Sequence, residues 1–369
     1  MQHQNIPHPS FFIDTQLTDL IRRFSGEAER MGALHPEQLS VIYKENWFNL
    51  YVPTEYGGLG LSMPEGLRIE ESLAWIDGST GWTITLCSGA NWFIGFLKQE
   101  TAKTIFNADE VCLAGSGRHT GIAKMISEEE YEITGRWPYA TGASHATAFT
   151  ANCLIEKNGG MIQNEDGSPM TASFIFLRNE VTVHKDWEAM GMIATSSNSF
   201  EVKKLRVNKN RRFSIDEKQT VLPGKVYQYP FLQFAETTLA VNISGMAIHF
   251  LDLFEAIIKK RNTDTFFTNK QMLSLSLRHD TAKNQLDEAR QVFYQVIQNS
   301  WNEGKGSKNF SIATLTEVSK ASRQLATTSR RMVDDLFPYC GLIAVHHESE
   351  INRVWRDLHT AIVHPLLLA

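Results

Sequence analysis

The sequence has only four cysteines in 369 residues, and no two of them form a CxxC pair. Such wide spacing argues against a zinc site and is typical of free thiols in a reducing compartment. We therefore predict no metal centre and a cytoplasmic location. The four residues are Cys87, Cys112, Cys153 and Cys340.

An excess of positive charge is also missing. The formal net charge is −5 at pH 7 and the isoelectric point is about 6.2, which gives no electrostatic basis for binding nucleic acid. Residues 1–4 lack the basic segment that precedes the apolar segment of a secretory signal. No run of residues has the apolar length of a membrane span. We expect neither nucleic acid nor a membrane as a partner.

Hydrophobic residues make up 42% of the chain, and their pattern changes twice. Apolar residues recur at helical spacing at the start, short β-type runs follow between Gly, Asn and Asp, and long amphipathic helices return after residue 230. Long helices with short loops are typical of a four-helix bundle, one face of which often binds a second copy to form a dimer or tetramer. We predict an α+β protein with an N-terminal α-helical domain (residues 1–110), a central β-barrel or sandwich domain (111–225) and a C-terminal four-helix bundle (226–369).

One segment in the β region has an unusual composition. Residues 135–146 read GRWPYATGASHA and lie between two β-type runs. They are aromatic, small and hydroxyl-bearing, whereas a surface hairpin is usually more polar. We predict a loop that packs against a flat, partly apolar partner.

The order of these blocks resembles the acyl-CoA dehydrogenase superfamily, whose members are flavoproteins with a helical domain, a β domain and a four-helix bundle. The likeness extends from about Val52 to His364. Three motifs carry it: a PxxYGG turn at residues 53–58, a helix opening at residues 239–245, and an Arg-Asp pair at residues 356 and 357.

Two branches of this superfamily differ in chemistry. Dehydrogenases oxidise acyl-CoA thioesters with FAD, whereas two-component monooxygenases take reduced flavin from a partner reductase and activate dioxygen on it. Residues 137–146 resemble the oxygenase pattern WxxaSGxxHa, with Thr141 at the serine position. The resemblance implies that the Thr141 hydroxyl bonds flavin N5 or O4, that Tyr139 and Gly142 lie beside the cofactor, and that His145 faces flavin or substrate. A loop histidine bonded to its own backbone explains His145 equally well.

The expected catalytic base separates the two branches. A dehydrogenase needs a carboxylate to remove an α-proton, but the family position that follows the Arg-Asp pair falls on His364 and Pro365. A second family position falls on Ala235; Glu236 is its neighbour and faces elsewhere, because a helix turns about 100° per residue. Oxygenases of this fold resemble the chain at His364, where an imidazole can take a proton from a phenol-like substrate. Alternatively, His364 caps the last helix.

The residues that would hold the cofactor's tail are sparse. Of the family's QxxGGxG loop, only Gly341 is present within residues 337–343. This implies a low affinity for the cofactor, which suits a protein that receives reduced FMN or FADH2 and releases it oxidised. Arg261 matches the arginine that reaches a neighbouring subunit's flavin phosphates; a simple charge at a helix end is the alternative. Ser116 is placed to contact the pyrimidine edge of the flavin.

We therefore predict the oxygenase component of a two-component flavin-dependent monooxygenase. It would use reduced FAD or FMN and dioxygen on a small substrate, with aromatic compounds among the candidates and a flavin reductase as partner. Two alternatives stay open: an acyl-CoA dehydrogenase with Glu236 as its base, and a non-catalytic flavin-binding relative. The sequence does not identify the substrate.

Overall fold

A computed structural model describes residues 6–108, 110–263, 267–303 and 310–368. Residues 1–4, considered above for a secretory signal, lie outside these ranges. Within them, helices precede and follow a single sheet, and the chain enters that sheet once and leaves it once.

The N-terminal helices are short and well capped. Asp14 accepts a hydrogen bond from the Gln16 N–H at the start of α1, and Asp77 accepts one from the Thr80 N–H at the start of α4. Almost every residue of α3 and α4 is buried, so these two helices form the centre of the domain rather than its surface. The bounds are α1 Thr15–Met31, α2 Pro36–Lys44, α3 Met63–Ile76, α4 Gly78–Asn91 and α5 Gln99–Phe106.

The central β region is one eight-stranded mixed sheet. The strands are β1 Leu113–Met125, β2 Glu130–Ala140, β3 Ala148–Lys157, β4 Gly160–Met161, β5 Thr171–Leu177, β6 Thr182–His184, β7 Asn198–Asn208 and β8 Arg212–Phe213. Their order is β6-β7-β2-β1-β3-β5-β8, with β4 paired to β3. Only β1 and β3 run parallel; their register is irregular between Ser116 and Gly121. The other pairs are antiparallel.

The prediction of a loop over residues 135–146 is wrong for its first half. Strand β2 continues to Ala140, because Arg136 and Trp137 pair with Glu201 and Phe200 of β7. The loop proper begins at Thr141. Trp137 is fully buried between the strands, so its ring is part of the β-domain core and does not face a ligand.

The C-terminal region consists of α6 Phe231–Arg261, α7 Asn269–Glu303, α8 Ile312–Leu336, α9 Glu350–Ala361 and the short α10 Pro365–Leu368. Helix α9 begins at Glu350 because the Ser349 hydroxyl caps it by accepting the Asn352 N–H. Helix α6 corrects the prediction about apolar runs: it is long and apolar enough to cross a membrane by length and composition. Its apolar window is 67% buried within the fold, as expected of a core helix.

Helix α6 is held against the N-terminal domain by close packing and by a buried ion pair. A Cβ atom on Gly245 would lie 2.3 Å from the Glu71 carbonyl oxygen, so α3 and α6 meet backbone to backbone. The Glu71 carboxylate accepts hydrogen bonds from Arg290 at 2.9 Å, from Tyr294 at 2.8 Å and from Ser244 at 2.7 Å. These contacts fix α3, α6 and α7 relative to one another.

Candidate active site

A cavity of about 260 Å³ lies between the sheet and helices α4, α6 and α10. Its walls combine aromatic rings and small residues with hydroxyl groups, and in the part of the chain that the structure describes no Asp, Glu, Lys or Arg lines it. The rings are those of Phe93, Phe213, Phe231 and Phe234. Such a cavity suits a flat, mostly apolar ligand with a few polar atoms.

Two of the predicted cofactor contacts lie on the sheet side of this cavity. Thr141 follows β2, is buried, and its hydroxyl lies 2.9 Å from that of Ser197. Ser116 lies on β1 beside Gly115, where a Cβ would be 2.2 Å from the Thr150 hydroxyl oxygen. Glycine at this position therefore lets the Thr150 side chain of β3 lie directly against the backbone of β1.

His364 lies on the helical side of the same cavity. Its Nδ1 accepts a 3.4 Å hydrogen bond from the Leu366 N–H, so it caps α10 while its ring lines the cavity. The ring packs edge-on against Trp82, with 6.1 Å between centroids. Burial lowers the pKa of His364, because desolvation penalises the charged imidazolium. The side chain is therefore a neutral imidazole at pH 7 and available as a base.

Tyr139 and Gly142, two of the predicted cofactor contacts, do not line the cavity. Tyr139 is 59% exposed, and its ring packs edge-on against Trp187. The pairing of β2 with β7 is irregular between Trp137 and Ala140, and Tyr139 has a φ of +65°, so its side chain leaves the buried face that Trp137 and Ala140 share. Gly142 has a φ of +79°, and a Cβ there would lie 2.6 Å from the Cys87 sulfur. Gly142 therefore shapes the loop, and its backbone faces the protein rather than the cavity.

His145 belongs to a buried cluster with Cys87 and Cys112. The three donor atoms lie within 4.8 Å of one another, and the imidazole stacks on Phe48. Neither ring nitrogen makes a hydrogen bond of good geometry among the described residues, so the backbone-bonded interpretation of His145 is wrong. Hydrogen bonding from Cys112, followed by contact with His145, lowers the pKa of Cys87 to about 6.

This cluster also corrects the argument from cysteine spacing. Cys87 and Cys112 are far apart in sequence but adjacent in the fold, and with His145 they offer two sulfur donors and one nitrogen. Zinc and copper(I) accept such donors. The cysteine spacing could not reveal this cluster, because its members come from α4, the start of β1 and the loop after β2.

Arg261 and Gly341 meet each other, but far from the cavity. The Arg261 guanidinium donates to the carbonyl oxygens of Tyr339 and Cys340 at 2.6 and 2.5 Å, and Gly341 has a φ of +79°. Arg261 ends α6, whereas Leu239 lines the cavity near the other end. At 1.5 Å per residue, Arg261 and Leu239 are about 30 Å apart. Arg261 therefore cannot contact the same end of a ligand as the residues of the cavity.

Glu236 faces away from the cavity that its neighbour Ala235 lines. It is buried against α8, where it forms a 2.8 Å ion pair with Arg323 and accepts a hydrogen bond from Ser319. A carboxylate held in this way cannot reach a ligand on the opposite side of α6. The alternative that uses Glu236 as a base therefore has no geometric support.

The hydroxyl groups that are hydrogen-bonded to Thr141, directly or through one another, were not predicted from the sequence. Ser197 contacts Thr141, Thr195 contacts Ser197, and the Gly142 N–H donates to the Thr195 carbonyl oxygen at 2.9 Å. The loop that carries them is tied to α9 through Met192, whose N–H donates to Asp357 at 2.5 Å. The hydroxyl-rich run at residues 195–199 was a visible signal in the sequence.

The residues around the cavity fit the ring of a flavin. Its apolar walls match the flat faces of the isoalloxazine, and Thr141 and Ser116 offer polar atoms to its heteroatom edge. Among the described residues, no charged side chain lines the cavity to oppose a neutral ring.

Comparisons with known proteins agree with this geometry. The chain matches the acyl-CoA dehydrogenase N-terminal domain over residues 12–101 and the C-terminal domain over residues 237–368. The HsaA oxygenase subunit of a flavin-dependent monooxygenase from Mycobacterium tuberculosis is 25% identical, covering 95% of this chain and 90% of the relative. Indole-3-acetate monooxygenase from Acinetobacter baumannii is 23% identical, covering 94% and 87%.

Solved structures show the same fold. The crystal structure of HsaA from M. tuberculosis superposes with a TM-score of 0.85 at 21% identity, covering 95% of this chain and 91% of that chain. XiaF from Streptomyces, in complex with FADH2 and glycerol, gives 0.77 at 19% identity with the same coverage. With family matches on both sides of the sheet and monooxygenases among its relatives, the chain belongs to the acyl-CoA dehydrogenase superfamily and is an enzyme.

Proposed function

We propose that this protein is the oxygenase component of a two-component flavin-dependent monooxygenase. One observation carries the proposal: a neutral imidazole, His364, and a hydroxyl-bearing residue, Thr141, line one cavity, whereas the carboxylate that a dehydrogenase would need, Glu236, is turned into the bundle. The two relatives described above are named monooxygenases, which supports the same reaction class.

The roles of the residues follow from their places. Bound reduced flavin would supply the electrons that activate dioxygen, and a partner reductase would deliver it. Thr141 and Ser116 orient the ring from the sheet side, while the phenylalanine walls exclude water. On a phenolic substrate, His364 accepts the proton from the hydroxyl group, which raises the electron density of the ring to be oxygenated.

The lining also points to an uncharged substrate. A carboxylate bound in an apolar cavity needs a cationic partner, and no Lys or Arg lines the described part of this one. We therefore propose a small neutral phenol or indole. By contrast, a relative named for an arylacetate, indole-3-acetate monooxygenase, acts on a substrate that carries a carboxylate.

A direct test supplies reduced FMN or FADH2 under oxygen-18 gas with matched substrate pairs. The pairs are p-cresol against p-hydroxyphenylacetate and indole against indole-3-acetate. Mass spectrometry should find one labelled oxygen in the neutral member of a pair and little in its acid, and no product with oxidised flavin alone. Absence of labelled product, together with bleaching of bound FAD by an acyl-CoA thioester, would contradict the proposal.

We also propose a homo-oligomer, a dimer or a tetramer, in the cytoplasm. Arg261 and Gly341 lie about 30 Å from the cavity along α6, so they can act on a flavin tail only if it belongs to another copy. The four cysteines are free and buried, which suits a reducing compartment. Light scattering should give a mass of at least two chains, and a monomer at micromolar concentration would exclude the shared site.

A further inference from the structure

Three hydroxyl groups form a buried chain that ends at Thr141. The Thr141 Oγ1 lies 2.9 Å from the Ser197 Oγ, which lies 2.7 Å from the Thr195 Oγ1. The Thr195 hydroxyl in turn lies 2.7 Å from the carbonyl oxygen of Met192. All three side chains are buried, so bulk water does not compete for these bonds.

The direction of each hydrogen bond follows from counting protons. A carbonyl oxygen only accepts, so at 2.7 Å the Thr195 hydroxyl must donate its one proton to Met192. The Thr195 hydroxyl can then only accept a hydrogen bond from Ser197. Because Ser197 donates its one proton to Thr195, it can only accept a hydrogen bond from Thr141. If Ser197 donated to Thr141 instead, no hydrogen would lie between the Ser197 and Thr195 oxygens, which are 2.7 Å apart, and the two would repel each other.

We infer that Ser197 and Thr195 are positioning residues that turn the Thr141 hydroxyl into a hydrogen-bond acceptor toward its ligand. This inference rests on the proposed function, in which Thr141 meets the flavin ring. Reduced flavin carries a hydrogen on N5 and can donate it, whereas N5 of oxidised flavin and O4 of either form can only accept. The three hydroxyl groups therefore favour binding of the reduced cofactor through N5 and disfavour the oxidised cofactor. This preference suits a protein that binds reduced flavin and releases it after oxidation.

The backbone keeps the loop in place independently of these hydroxyls. The Gly142 N–H donates to the Thr195 carbonyl oxygen at 2.9 Å, and the Thr195 N–H donates to the Met192 carbonyl oxygen at 3.2 Å. Asp357 holds the Met192 N–H from α9. Removing one hydroxyl should therefore change the direction of the remaining hydrogen bonds and leave the loop geometry intact.

The test compares dissociation constants for reduced and oxidised FMN and FAD, measured anaerobically by fluorescence titration. Wild-type protein should bind the reduced form more tightly. In Ser197→Ala the Thr141 proton is free to point at the ligand, and the ratio of oxidised to reduced dissociation constants should fall about tenfold. Ser197→Thr, which keeps a hydroxyl, should retain the wild-type ratio.

Ser196→Ala is the matched control, because the Ser196 hydroxyl bonds Ser144 and Asn198 and not Thr141. An unchanged ratio in Ser197→Ala, or an equal fall in Ser196→Ala, would overturn the inference while leaving the proposed function standing. Should Ser197→Ala fail to fold, Thr195→Val gives a second variant, in which the same ratio must fall. Wild-type protein that binds neither flavin form would overturn both the inference and the proposed function.

Discussion

At the scale of single residues, position 364 combines a structural and a chemical role. The imidazole caps α10 through the Leu366 N–H and also lines the cavity. Asparagine is a good N-cap but does not titrate near neutrality. His364→Asn should therefore keep the melting temperature close to that of the wild type and lower kcat by about 10² to 10⁴, the range for loss of a general base.

The pH profile tests the same role. Because burial lowers the pKa of His364, wild-type kcat should hold below the ordinary histidine pKa of about 6.5 before it falls with acid. The Asn variant should lack this acid limb. His359→Asn is the control, since that histidine bonds Asp334 at 2.7 Å outside the cavity. If it slowed the reaction as much as His364→Asn, the assignment would be wrong.

Glu236 gives the opposite expectation. Glu236→Gln should lower the free energy of unfolding by about 1 kcal/mol, since the Arg323 side chain of the pair is 31% exposed and water compensates part of the loss. Hydroxylation rates should stay within about twofold, as expected for a group with no part in the chemistry. Complete loss of turnover on an acyl-CoA thioester would instead support the dehydrogenase alternative.

The sequence located part of this site and missed the rest for physical reasons. Thr141, Ser116 and His364 were proposed by resemblance, and they line one cavity. Tyr139 was also proposed by resemblance, but the irregular end of β2, where Tyr139 has a φ of +65°, turns its side chain outward. The contact of Cys87 with His145 joins residues far apart in the chain, and no local pattern encodes such a contact.

At the scale of elements, the crossing of α3 and α6 determines the packing of the bundle. Gly245→Ala would place a methyl group 2.3 Å from the Glu71 carbonyl oxygen and 2.8 Å from the Trp75 nitrogen. Both obstacles are backbone atoms, so relief requires a shift of the helices. We expect a loss of about 1–3 kcal/mol of stability, measured by denaturant unfolding.

Gly26→Ala on α1 is the control for that variant. Its Cβ would meet only side-chain atoms, the nearest at 3.8 Å, so the better helix propensity of alanine should raise stability by about 0.5–1 kcal/mol. Equal effects of the two changes would show that the α3–α6 crossing is not tight.

Element types were easier to predict than element ends. Helical periodicity identified α6, α7 and α8 because each buries a continuous stripe. The end of β2 was misplaced because the aromatic, small and hydroxyl-bearing composition of residues 135–146 suggested a loop, while pairing with β7 keeps the chain extended to Ala140. That pairing is a tertiary contact, which local propensity does not contain.

At the scale of the whole molecule, two buried carboxyl groups connect stability to pH. Desolvation, then repulsion by Asp77, raises the pKa of Asp357 to about 7, against the opposing Met192 N–H and Arg353. Desolvation raises the pKa of Glu70 to about 8, against the opposing effect of the Tyr51 and Ser88 hydroxyls. Asp357 joins α9 to the segment before β7, and Glu70 joins α3 to α4, so ionising either group disturbs the packing between elements.

The sign of the effect follows from linkage. Both folded pKa values lie above those of the unfolded chain, so the stabilisation is complete below about pH 4 and is lost as the pH rises through 7 to 8. Between these limits each group lowers the free energy of unfolding by about 1.4 kcal/mol per pH unit. These two groups should therefore lower the melting temperature increasingly from pH 5 to 8, with no further contribution from either group above that. Asp357→Asn and Glu70→Gln should each flatten the decline, and Asp335→Asn, a change at an exposed carboxylate, should not. A slope that neither buried substitution alters would show that these two carboxyl groups are already ionised in the folded protein at pH 5.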